Sequence, residues 1–325
     1  MILPPARPNQ SYVSVSAIPA GLITAPKWAF VEGVTNREET MPLPCMAFLI
    51  TRQPTSDTDR VQRASHILFD LGLRETPENY TPAQQSHLQH RQPVTFGPSV
   101  RRSLSAAGIP NTRVDLVIYS HVHWDHTGEP SEFPHASFVV GHGSLDLLSQ
   151  GELLGAGSHA CFDRVLLQDR HVVELPPSDD SVRADITDSR LTWGPLTPFP
   201  AAMDIFQDGS VYVIPSPGHL QGHVNLLCRT GPRRWVYLGG DTYHHVGLLT
   251  GEERIATWTD DQGRTLCVHT DQKAAEEMFA LLRNLQLAAE EDGVELELIT
   301  SHDAKWFSDN QHRLFPKTLE RSDKL

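Results

Sequence analysis

The chain has 325 residues, 39% of them hydrophobic, and a formal net charge of −13. There is enough apolar sequence for a sizeable core, while the acidic balance argues against nucleic acid, because phosphate binding wants a basic surface. No apolar run reaches the length that spans a bilayer, and Met1 to Pro8 contain no apolar signal core, so a cytoplasmic protein with no membrane partner is expected.

The predicted elements follow in chain order. Tyr12–Ile18 alternates and reads as a strand, and Leu43–Thr51 as a second. The polar stretch 52–65 reads as a hairpin loop or insertion. His66–Gly72 is a third strand, ending in a carboxylate, Asp70, and a glycine, Gly72. The polar segment 76–98 suggests an insertion carrying a helix, and Ser99–Ala107 a short helix stopped by Gly108. Val114–Ser120 is an apolar, β-branched strand. Ala136–Val140 is another, followed by a short helix from Ser144 to Leu148. Residues 151–209 are broken by Gly, Pro and acidic clusters and are read as an insertion over the active face. Val211–Ile214 and Trp235–Leu238 are strands. Asp271–Ala289 is the strongest helix, with Ala275, Met278, Phe279, Leu282 and Leu285 on one face and Asp271 or Thr270 as cap. Glu295–Thr300 is a late strand. The four cysteines, at 45, 161, 228 and 267, form no CxxC pair and read as buried thiols.

Just past the 114–120 strand stands His121-Val122-His123-Trp124-Asp125-His126-Thr127-Gly128. An extended backbone puts His121 and His123 on one side. Asp125 and His126 come where Thr127, Gly128 and Pro130 must turn the chain. Imidazole and carboxylate suit zinc or a similar first-row divalent ion. The same pattern, a strand end followed at once by a ligand-type residue, recurs at Asp70, His219, Asp241 and His302. Sheets present functional loops along one edge, so one polynuclear metal site is more economical than five unrelated polar loops.

The HVHWDHTG stretch resembles the HxHxDH signature of the metallo-β-lactamase superfamily. The order of the remaining pieces matches too: SPGHLQGH at 216–223, GGDTY at 239–243 and SHD at 301–303. Within the superfamily these pieces look most like the quorum-quenching N-acyl homoserine lactonase branch. The resemblance implies an α/β fold, an αββα sandwich of two mixed sheets flanked by helices. It implies a single domain over 1–325 with insertions near 52–65, 76–98 and 143–209. It further implies two divalent metal ions, zinc by default, with His121, His123 and His219 on the first, Asp125, His126 and His302 on the second, and Asp241 between them. Asp70 would orient ligands from behind, and His223 would support rather than ligate. A glutamate marks the oxygen-reducing relatives within this motif. Here His123 stands instead, which favours hydrolysis.

The implied reaction opens a small cyclic ester or amide, with a hydroxide shared by the two ions attacking the carbonyl. Asp125 would move a proton to the leaving group. The lactonases carry a carbonyl-polarising tyrosine three residues after the bridging aspartate. That position is His244 here, and Tyr243 stands one place early, so either could serve. The alternatives on the same site are a glyoxalase II-like thioesterase, whose substrate would want basic residues near the C-terminus (Arg313, Lys317 and Arg321 are there, but a solvated tail explains them better), another ester hydrolase or a phosphodiesterase, which the acidic charge disfavours for RNA, or a non-catalytic metal-stabilised binding protein. The partner is a small molecule. A homodimer is one arrangement the chain allows, and the sequence does not set it.

Overall fold

β1 (Val13–Pro26) and β2 (Thr40–Arg52) form a long antiparallel pair. Met46, Phe48 and Ile50 of β2 face one apolar cluster while Ala47 and Leu49 face another. That is why this strand reads as a continuous apolar run: both of its faces are covered. These coordinates are a computed structural model, which describes residues 1–53, 65–151, 157–178 and 191–319. Residues 54–64 of the expected hairpin loop lie outside the described residues.

β3 (Ser65–Phe69) pairs antiparallel with β2. Helix α1 (Pro82–Leu88) follows, its start closed by a reciprocal Thr81–Gln84 capping pair. Helix α2 (Val100–Ala106) is capped by Ser99. β4 (Val114–Ile118), β5 (Ser137–Val140), helix α3 (Ser144–Gln150) and β6 (His171–Glu174) complete the first half. The first sheet has the order β1-β2-β3-β4-β5-β6, antiparallel at its β1 side and parallel from β3 onward.

The second half contains β7 (Gly194–Leu196), β8 (Phe199–Asp204), β9 (Val211–Pro215), β10 (Val224–Gly231) and β11 (Arg234–Leu238). Helix α4 (Val246–Thr250), a small ribbon of β12 (Trp258–Thr259) and β13 (Thr265–Leu266), helix α5 (Gln272–Glu291), β14 (Glu295–Ile299) and helix α6 (Ala304–Asp309) follow. The second sheet runs β14-β11-β10-β9-β8-β7, with β14 parallel to β11 and the other pairs antiparallel.

The two mixed sheets face each other across one apolar layer. Phe48, Ile67, Phe69 and Ile118 from the first meet Val213, Leu226, Val236 and Leu238 from the second. The outer face of the first sheet is covered by α2 and α3 through Leu104 and Leu147. The outer face of the second is covered by α5, whose Ala275, Met278, Phe279, Leu282 and Leu285 pack on Trp235 and Tyr237. Asp271 caps α5, its carboxylate accepting from the Ala274 N–H at 3.0 Å. This is the expected αββα sandwich.

The stretch 143–209 does more than cover the active edge. Its β6 forms one border of the first sheet and its β7 one border of the second, with β8 next in from β7. All three are short, and β6 and β7 are edge strands, so they offer few alternating positions and period-2 patterning does not reveal them; residues 152–156 and 179–190 of that stretch lie outside the described ones. β10 also escapes the sequence reading, because it carries Asn225 and Arg229 in a fully buried setting. All four cysteines are buried and free, as expected. Among the described residues no helix is long and apolar enough to cross a membrane.

Candidate metal centre

Every strand end singled out by the sequence arrives at one border of the sandwich. Asp70 follows β3, His121 to His126 follow β4, His219 follows β9, Asp241 follows β11 and His302 follows β14. Main-chain bonds tie these loops together. The Asp70 N–H donates to Ile118 O at 3.0 Å, Val224 N–H to Ser120 O at 2.8 Å, and Ser301 N–H to Gly240 O at 2.9 Å. Gly240 is required just before Asp241: its φ is +47°, and a Cβ there would stand 2.7 Å from the Ser120 Cβ and 2.8 Å from His223 Nε2.

Two nests of ligand atoms result. In the first, His123 Nδ1 lies 2.8 Å from His121 Nε2 and 3.1 Å from His219 Nε2. In the second, His126 Nε2 lies 3.2 Å from His302 Nε2, and Asp125 Oδ2 is 3.5 Å from His302 Nε2. Asp241 serves both. Its Oδ2 is 3.3 Å from His219 Nε2, while its Oδ1 is 3.0 Å from His126 Nε2 and 3.3 Å from His302 Nε2. All seven residues are buried.

The far ring nitrogens decide what the near ones can do. His302 Nδ1 donates to the Pro44 carbonyl at 2.8 Å, and His126 Nδ1 is 2.9 Å from Asp70 Oδ2. Both acceptors hold the proton on Nδ1, so in the neutral rings the two Nε2 lone pairs face each other. His121 Nδ1 meets Ser120 Oγ at 3.0 Å, and His123 Nε2 meets His159 Nδ1 at 3.1 Å. Converging lone pairs beside a carboxylate call for a cation. Donor atoms at 2.0–2.1 Å from a tetrahedral ion lie about 3.3 Å apart, close to the separations here. The residues therefore fit two metal ions, one in each nest, with Asp241 between.

The electrostatics agree. Burial, reinforced by neighbouring histidines, holds His121 well below its ordinary value; burial does the same to His123 and His219. At His126 and His302 burial works in the same direction and is the largest single cause, but Asp241 together with Asp70 at His126, and with Cys45 at His302, more than offsets it, and both rings are held well above their ordinary values. A metal ion in the second nest would take the place of that proton.

Asp70 and His223 stand where the sequence put them. Asp70 also accepts from the Ser120 N–H at 2.7 Å and from Ser120 Oγ at 2.8 Å. His223 Nε2 accepts from the Asp241 N–H at 3.0 Å and its Nδ1 donates to Ser216 O. Tyr243 and His244 part company. His244 Nε2 is 3.0 Å from Asp241 Oδ2 and lines the cavity over the nests. Tyr243 packs in the cluster behind the second sheet and lines a different cavity with Met41 and Val246. Trp124 lies beneath the loop, edge-on to Tyr80 and His87.

Sequence reasoning missed two histidines. His159 comes from a one-turn 3-10 helix at Gly157–Ala160, and His269 from the loop after β13. His269 is 3% exposed, neither of its ring nitrogens has a hydrogen-bond partner among the described residues, and its ring centre is 5.3 Å from that of His219. His159 follows no strand, and His269 follows β13, a strand of two residues too short to carry the signal that flags the others.

Two sheets face to face, helices outside, and a pair of His/Asp nests sharing one carboxylate at the sheet ends define a two-metal αββα scaffold. The chain belongs to the metallo-β-lactamase superfamily. It is 30% identical over 185 residues to a protein named gamma-lactamase MBL2 from Gibberella moniliformis, covering 56% of this chain and 72% of that one. It is 33% identical over 193 residues to metallo-hydrolase mfmC of Annulohypoxylon moriforme, covering 57% of this chain and 47% of that one. A third relative, named cytochrome P450 monooxygenase mpaDE' in Penicillium brevicompactum, is 29% identical over 74% of this chain. The match spans 28% of that relative's length, and of the other relatives named here only the gamma-lactamase is matched over more than half. Among solved structures, a quorum-quenching N-acyl homoserine lactone lactonase superposes with a TM-score of 0.63 at 16% identity, over 95% of this chain and all of that one. At that identity the likeness concerns the fold. No family model matches the chain.

Proposed function

We propose that the chain is a metal-dependent hydrolase that opens a small cyclic ester or amide, with zinc as the metal its ligand set suits best. The observation that carries this is Asp241, one carboxylate with an oxygen toward each nest, at the floor of a cavity of about 480 Å³. That volume suits a small molecule. Relatives named gamma-lactamase and N-acyl homoserine lactonase support the same substrate class.

When bound, a pair of divalent ions supplies Lewis acidity and brings the pKa of water to roughly 7. The chain supplies the rest. Asp70, Ser120, His159 and the Pro44 carbonyl fix the ligand rings, so no reorganisation is needed as charge develops. Asp125 lines the cavity beside His302 and is placed to carry a proton to the leaving oxygen or nitrogen. His244, beside Asp241, offers an imidazole N–H to the substrate carbonyl. Phe30, Trp28 and Trp258 wall the cavity and exclude water.

The thioesterase reading loses its anchor. Arg313 is paired with Glu297 at 2.7 Å and Lys317 Nζ donates to the His312 carbonyl; Arg321 lies outside the described residues. The test is a panel of lactones, lactams and acyl thioesters offered to zinc-loaded and chelated protein. Turnover of cyclic esters or amides that vanishes on chelation is expected. Turnover confined to thioesters, or indifferent to chelation, overturns the proposal.

A further inference from the structure

The cavity above the nests is walled mostly by apolar side chains, among them Ile23, Trp28, Phe30, Leu43, Trp258 and Leu266. Among the described residues lining it, Arg91 is the only lysine or arginine. Arg91 closes the short 3-10 helix Gln89–Arg91 that extends α1. Among the described residues its guanidinium makes one hydrogen bond, from Nη1 to the carbonyl of its own neighbour His90 at 3.2 Å. No carboxylate of the described residues lies within ion-pair distance of it. Arg74, Arg52 and Arg313, by contrast, are each paired with a carboxylate: Asp163 at 2.9 Å, Asp208 at 2.7 Å and Glu297 at 2.7 Å.

A guanidinium carries five N–H donors in a fixed fork, and at the partly buried Arg91 most of them have no protein acceptor among the described residues. Burial disfavours its charged form, and Asp125 opposes that through space. Arginine stays charged regardless. The cavity therefore holds a permanent cation that no carboxylate of the described residues pairs.

We infer that Arg91 anchors a carboxylate carried by the substrate, on the part of the molecule away from the ring that is opened. The inference rests on the cyclic ester or amide reading above. A carboxylate matches the planar fork, with two parallel N–H···O bonds. A dianionic phosphate would meet one cation only, inside a chain of net charge −13. The apolar walls strengthen the pair by lowering the local dielectric. The substrate would then be held at two points, the carbonyl over the nests and the anion at Arg91, which fixes which ring atom faces Asp125.

The experiment uses matched pairs: N-succinyl-, N-glutaryl- and N-adipoyl-homoserine lactone, each beside its neutral methyl ester, with the zinc-loaded full chain. The readout is the ratio of kcat/KM for acid over ester. At the best tail length the wild-type ratio should be tenfold or more, and Arg91→Leu should bring it close to one. Arg91→Lys, which keeps the charge and loses the fork, should fall between. A wild-type ratio near one at every length, or a ratio that survives Arg91→Leu in protein of wild-type zinc content, overturns the anchor. Absence of turnover for both members of every pair counts against the reaction instead. The anchor is then read by equilibrium dialysis of the intact acids, expected to bind wild type at least tenfold more tightly than Arg91→Leu. Equal binding overturns it.

Discussion

His244 Nε2 stands 3.0 Å from Asp241 Oδ2, the carboxylate oxygen turned toward His121 and His219. Its ring also stacks on His302 at 5.6 Å and tilts against Phe30 at 4.9 Å. It thus touches the shared carboxylate, the second nest and the cavity wall at once. Its Nδ1 has no partner among the described residues.

Replacing His244 with Ala should lower kcat about 10²-fold, the usual loss for one oriented donor at a developing oxyanion, while two metal ions per chain are retained. Tyrosine at this position should recover part of the loss. Steady-state kinetics and metal analysis on the same preparations check this. An unchanged kcat excludes the assigned role, and loss of one ion makes His244 a ligand.

Asp70→Asn should weaken the second nest without disturbing the fold. Asp70 sits at φ +61°, a conformation asparagine also tolerates, and the change removes the negative charge facing His126 Nδ1 at 2.9 Å. Loss of such an orienting partner typically lowers metal affinity about 10–100-fold. Competition with a chromophoric chelator measures it; wild-type affinity for both ions would show that Asp70 only shapes the turn.

Removal of the metal ions should lower the melting temperature. The facing lone pairs of His126 and His302 and the carboxylates of Asp125 and Asp241 lose their shared counter-charge. Ions free at about 1,000 Kd stabilise the folded state by about 4 kcal/mol. Calorimetry of chelated and reloaded protein should show a loss of several degrees, recovered on reloading. Identical transitions would mean that the nests are held by packing alone.

Acid should destabilise the chelated protein from about pH 6.5 downward. Burial, the largest cause in each case, lowers His87 to about 3 and His159 and His223 to about 4. Their values in the unfolded chain are near 6.5, so below that pH the unfolded chain binds more protons and stability falls until the folded values are reached. Each histidine contributes a slope of up to about 1.4 kcal/mol per pH unit. Denaturant midpoints between pH 7 and 5 test this. His87→Gln, at the residue farthest from the nests, should reduce the slope by about one proton, and a flat profile in wild type would refute the assignment.

A buried contact far from the centre gives a stability control. Leu282 of α5 is fully buried against the second sheet. Leu282→Ala should cost about 2–5 kcal/mol and leave two ions per chain. Loss of the metal with the leucine would show that α5 holds the centre in place.

The sandwich was legible because its central strands are apolar on both faces and end in punctuation. Phe69-Asp70, Ser120-His121 and Leu238-Gly239 mark where burial stops and chemistry starts, and the seven ligands each lie within a few residues of such a mark. β10 was not legible because its Asn225 is satisfied by the Tyr237 and Thr242 hydroxyls at 2.7 Å, partners that only the folded sheet supplies. His159 and His269 reach the centre through tertiary packing of loops whose local pattern says nothing about direction. The choice between Tyr243 and His244 turned on which way two adjacent side chains point, and one residue of register reverses that.

The order of the ligands along the chain has a kinetic corollary. The second nest takes two of its side chains from residues 125 and 126 and the third from residue 302. Ring closure over so long a loop comes late, after β14 has docked beside β11. A ribosome must therefore expose the chain through residue 302 before both ions can be retained. Stoichiometric uptake of the second ion would then serve as a clock for completion of folding, and fragments that stop short of His302 should capture at most one.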